Sequence, residues 1–172
     1  MSRHTFSLIA LLGLALPSGC DWSPTSSTSG PVDSQATKYL LQAEPQGAMT
    51  PTEIKETVTE PTSLAIAGRI DAGEIEPFQK GIASFVISQL PDSTHAGGDP
   101  KHADNCPFCK RKLKNAPKAV VQFLDADGKV LPIDARELLG VAKGDVVVVQ
   151  GTAQYLEAVN TVQINADGVF IR

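Results

Sequence analysis

The sequence predicts a mainly β domain, a small five-stranded Greek-key barrel with one or two short helices. Three observations lead there. Short apolar runs rich in Val, Ile and Phe recur along the C-terminal two-thirds, each bounded by Gly, Pro, Asp or Asn. Helix-type patterning is confined to two brief stretches, one before the first run and one between the third and fourth. The chain has 172 residues, 42% of them hydrophobic, which suffices for one core.

The elements follow in order. Tyr39-Leu40-Leu41 is a short apolar segment closed by Glu44-Pro45. Pro51 stands where a first helical turn tolerates it, Glu53–Val58 can form a short helix, and Pro61 stops it. Ser63–Ile70 places Leu64, Ile66 and Ile70 on one face of a first strand. Ile82–Leu90 has Phe85 and Ile87 on one side and Ile82, Val86 and Leu90 on the other. Lys118–Leu124 is a third strand ending at the turn Asp125-Ala126-Asp127-Gly128, with Val130–Ile133 continuing beyond it. In 134–140, Asp134 can cap the start of a helix and Gly140 its end. Val146–Gln150 is the fourth strand, and Thr161–Asn165 with Val169–Arg172 closes the chain.

The order strand, strand, strand, helix, strand, strand resembles that of an OB-fold. Lys143-Gly144-Asp145 with the four valines that follow is similar to the start of the fourth strand in such domains, and Leu64–Ile70 to their first strand. Residues 38–172 as a whole resemble a group of uncharacterised bacterial lipoproteins. The residues that carry this are Glu44-Pro45-Gln46-Gly47-Ala48, the first-strand Gly68-Arg69-Ile70 and the second strand centred on Phe85. The resemblance implies a fold and an address, and no activity.

The address is also written at the N-terminus. Arg3 precedes an apolar run from Phe6 to Leu16, then Pro17-Ser18-Gly19-Cys20. Residues 1–19 therefore read as a secretory signal, too short to span a bilayer unaided. Cys20 after Ser-Gly resembles the lipobox of bacterial lipoproteins, which implies acylation of its thiol and attachment to the cell membrane or outer membrane. The family usually has Leu or another aliphatic residue where this chain has Pro17. An ordinary cleaved signal is the alternative. Between Asp21 and Thr37, eleven of seventeen residues are Ser, Thr, Pro or Gly, so 20–37 reads as a flexible tether below the 38–172 domain.

Chemistry concentrates in one stretch. Past the signal, both histidines and the two cysteines other than Cys20 are His95, His102, Cys106 and Cys109, between the second and third strands. Cys106-Pro107-Phe108-Cys109 resembles a zinc-ribbon knuckle. With the two histidines it composes a Cys₂His₂ set, the four-coordinate composition of closed structural zinc sites, which copper could also occupy. Two readings compete for the same residues. An oxidising location allows a plain disulfide, though one closing so small a loop gains little. The motif also resembles the Cys-Pro-Tyr-Cys of glutaredoxin-like enzymes, with Cys106 as nucleophile and Cys109 as resolving thiol. Against that, the glutaredoxin-type pair follows a buried strand, whereas this one follows a polar loop.

Other features are weaker. Lys110, Arg111, Lys112, Lys114 and Lys118 form a basic patch that could meet an anionic partner or be a solvated face. A barrel of this type can also bind oligosaccharides or oligonucleotides on its second and third strands, with the cluster as a brace. A formal charge of −4 and 5% aromatic residues disfavour nucleic acid. Asp125-x-Asp127-Gly128 lacks the remaining donors of a calcium loop. No phosphate-loop, dinucleotide or nucleophilic-serine motif is present, so the sequence reads as a binding or scaffold module rather than an enzyme.

Overall fold

The structure is a computed structural model that describes residues 37–91 and 105–172. Five strands are present: β1 (Thr62–Ile70), β2 (Ser84–Ser88), β3 (Lys118–Gln122), β4 (Val146–Leu156) and β5 (Thr161–Ile171). They close into a ring in the order β1-β2-β3-β5-β4, and β4 pairs with β1 to complete it. Every pairing is antiparallel except β3 with β5. Among the described residues, helices α1 (Pro51–Thr57), α2 (Pro107–Asn115) and α3 (Ala135–Leu139) accompany them, with a 3-10 turn at Glu157–Val159.

Each predicted strand is present, with shifted ends. β2 is shorter than Ile82–Leu90, and Val130 makes only an isolated bridge to Leu124 instead of extending a strand. β4 runs on from Gln150 to Leu156, and the two closing segments are one strand. Their apparent break is a bulge. Gln150 faces Gly168 and Gly151 faces Ala166, which leaves Asp167 as the extra residue on β5.

Alternation fills the ring. Ile66, Phe85, Ile87, Val121, Val147, Val149 and Ile164 all point inward and are buried. Phe123 stands between two rings, 5.0 Å from Tyr39 and 6.4 Å from Phe85, with Phe85 in turn 6.1 Å from Phe78. Val148 points outward yet is also buried, in a second cluster with Ala65 and Ala67 under Ala48, Leu90 and Phe170. Coverage on both faces is why this strand reads as an unbroken valine run.

The segment before β1 supplies that cover. Leu41 N–H donates to Val169 O (2.9 Å), and Met49 is bonded on both sides to β1, through Ala65 O and Ala67 N–H. Arg172 reaches back to Glu44 at 2.6 Å. α1 then packs against β1, β4 and β5 and buries Ile54 completely. It begins two residues before Glu53 because Thr50 forms a full capping box with Glu53, with Pro51 at the first helical position.

α3 has the predicted caps. The Asp134 carboxylate accepts from Arg136 N–H at 3.0 Å, and Gly140 closes the helix with a φ of 70°. Where β1 meets β2, Gly68 is required. A Cβ there would sit 2.8 Å from Ser88 O and 3.0 Å from the Ile87 side chain.

Candidate functional site

Of the predicted ligand set, Cys106 and Cys109 belong to the described structure, whereas His95 and His102, like Cys20, lie outside the described residues. Cys106 is the N-cap of α2 and Pro107 its first helical residue, because proline's fixed φ suits that position. Cys109 follows about one turn later. The two sulfurs are not joined in a disulfide.

The helix has a consistent orientation. Cys106, Cys109, Leu113 and Ala116 are half-buried, while every other residue from Pro107 to Asn115 is exposed. These four recur at helical spacing and form the less exposed stripe of the helix. Leu113 continues that stripe into a groove of about 980 Å³ that also involves Arg69, Glu74, Ile75, Gln89 and Lys118. Pro117, just past the helix, is buried at the start of β3. The helix is thus held at its C-terminal end, and none of its own nine residues is fully buried.

Position also tunes the thiol of Cys106. Its sulfur makes no short capping hydrogen bond. The backbone N–H of Cys109 nonetheless favours the thiolate and holds its pKa below the ordinary cysteine value. The Cys109 side chain and the Phe108 N–H act in the same direction, and desolvation opposes them. Phe108, between the cysteines, is 84% exposed. Phe85 and Phe123 are core residues, as their places in the strand pattern predict.

The aspartate turn has a structural use. Asp125 accepts from the N–H groups of Asp127 and Lys129, both at 2.9 Å, and Gly128 takes a φ of 76°. Among the described residues, no three His, Cys, Asp or Glu side chains are grouped to hold a metal ion.

Two polar clusters were not visible in the sequence. Asp134 is buried and paired through both carboxylate oxygens with Arg136, whose guanidinium stacks 5.0 Å over Phe78 and lies 3.8 Å from Glu76. The Arg136 side chain holds the Asp134 carboxyl well below the usual range; N–H groups of Arg136 and Gly81 assist, and burial opposes. At the other cluster, Asn160 accepts from Lys55 (2.9 Å) and from the Tyr155 hydroxyl (2.8 Å), in a left-handed conformation. Both unite residues far apart in the chain, which local patterning does not report.

Neither a family model nor a curated protein matches the chain. Among solved structures, a chain from Leishmania major Friedlin described as an aspartyl-tRNA synthetase is similar over 77% of this chain and 22% of its own, at 10% identity and a TM-score of 0.40. The present chain thus spans about a fifth of that synthetase.

Proposed function

We propose that this protein is a lipid-anchored, extracytoplasmic binding or scaffold module, in which an OB-type barrel carries a metal site made by His95, His102, Cys106 and Cys109. The barrel assignment is supported by the strand order, by the single parallel contact of β3 with β5, and by the place of α3 between β3 and β4. The address rests on the leader, on Cys20 and on the resemblance of 38–172 to bacterial lipoproteins.

One observation carries the metal reading. Two thiols not joined in a disulfide share the less exposed stripe of a nine-residue helix that fully buries none of its residues. Isolated helices shorter than roughly 12–15 residues are marginal in water. A cross-link at the cysteine end would supply the anchoring that apolar contact does not. Both thiols would bind as thiolates and both imidazoles as neutral rings, completing a closed tetrahedral set suited to zinc. Zinc there would join the 95–102 stretch to α2 and leave no open position for hydrolysis.

Protein purified without chelator should contain about one zinc per chain. Cys106→Ser with Cys109→Ser should abolish it, and removing the metal from the parent should raise hydrogen exchange across α2. Unchanged metal content in the double variant would reject the site.

A second reading is favoured by the N-cap position of Cys106, which is where a nucleophilic thiol gains from a helix N-terminus. A thiol–disulfide enzyme would turn over a disulfide substrate in its metal-free form, and Cys109→Ser would trap a mixed disulfide on Cys106. The polar sequence that precedes Cys106, in place of a buried strand, weighs against it.

A further inference from the structure

The face of α2 opposite the cysteines is used by neither reading. At 100° per residue, Arg111 lies across the helix from the less exposed stripe, with Phe108 beside it, Lys110 and Lys112 at the margins, and Lys114 reaching the edge of the groove next to Leu113. All five side chains are exposed. Among the described residues, none of the four cations forms an ion pair.

The charge contrast is large. The chain holds fifteen Lys and Arg against nineteen Asp and Glu, and four of those cations stand on this one helix, so the remainder carries a formal −8. A concentrated basic face on an acidic body selects for one orientation toward an anionic surface. The exposed Phe108 ring adds an apolar group at the same face, of the kind that seats at the boundary between headgroups and acyl chains.

We propose that the outer face of α2 docks onto anionic lipid headgroups, turning a domain tethered at Cys20 so that this helix lies against the membrane. The inference rests on the tethering proposed above only for its setting, and it does not depend on the metal site. A flexible tether, as the composition of 20–37 predicts, limits distance and leaves orientation undetermined. A polybasic face supplies the second signal, through headgroup attraction that falls off within a Debye length.

The test uses the full chain with Cys20→Ser, which removes any acyl chain, sedimented with vesicles of phosphatidylcholine alone or with about one-third phosphatidylglycerol. Binding should favour the anionic vesicles and collapse in high salt. Each cation removed should weaken it about fivefold, so Arg111→Gln with Lys110→Gln should lose roughly twenty-five-fold. Phe108→Ser should lower binding to the anionic vesicles further. These exposed substitutions should leave the thermal melt unchanged, which separates lost docking from lost folding. Equal binding to neutral vesicles, or parental binding by the Arg111/Lys110 variant, overturns the proposal. So does capture by a soluble polyanion such as heparin without capture by vesicles. Separately, absence of acyl label on Cys20 in cells would defeat the tethering while leaving the vesicle result intact.

Discussion

Gly151 is the position where one added methyl group should cost most. It lies in β4 opposite the β5 bulge, and a Cβ built on it would overlap the Asn165 carbonyl oxygen and come within 2.9 Å of the Ala166 Cα. Real Cβ atoms essentially never approach other atoms that closely, and the obstructing atoms are backbone, so no side-chain rotation relieves the clash. The residue does not have a positive φ, which makes the penalty steric rather than conformational. Overpacking typically costs 1–3 kcal/mol. With rigid neighbours on the most extensively paired strands, Gly151→Ala should cost about 3 kcal/mol. In a folded body of this size that lowers the melting temperature by about 10 °C. Urea and thermal unfolding, with the exposed neighbour Thr152→Ala as control, measure it. If the two variants match within about 0.5 kcal/mol, the bulge is not as tight as described.

Three further outcomes follow. Phe123→Ala removes a fully buried ring from the centre of the aromatic cluster and should cost about 3–5 kcal/mol by denaturant unfolding. Thr50→Ala breaks the capping box of α1 and should cost about 1 kcal/mol, read from the urea midpoint. Asp134 has a lower pKa folded than unfolded, so its stabilising effect is full above the ordinary carboxylate value and is lost as pH falls below it. Asp134→Asn should therefore lose stability at neutral pH and show a shallower decline than the parent between about pH 4 and 2.

What the sequence disclosed was local. Alternation in Phe85–Ile87, the Asp134 and Gly140 caps and the Asp125–Gly128 turn each depend on residues within a few positions, and each stands where patterning placed it. β4 beyond Gln150 was illegible because Gly151, Thr152, Ala153 and Gln154 carry little strand signal of their own; pairing with β1 and β5 holds them. The unity of β5 was hidden by Asp167-Gly168, which resemble a turn and serve a bulge. Tyr39 and Phe78 join the core through contacts across the chain, invisible to any short window. For the candidate site, α2 was illegible, because Phe108 and Leu113 are its only large apolar residues and too few to give a helical period. The half-burial of the thiols, like that of Leu113 and Ala116, is defined only by the assembled domain.

The stretch preceding β1 also determines how the domain responds to tension. Pulling on the chain ahead of Thr37 loads first the Leu41–Val169 hydrogen bond and the Glu44–Arg172 ion pair, then the two bonds of Met49 to β1. These attachments grip strands on opposite sides of β4, so force enters the ring at two separate strands rather than peeling one edge. A domain drawn by its leading end would shed this outer strap before any of the five strands parts from its neighbour.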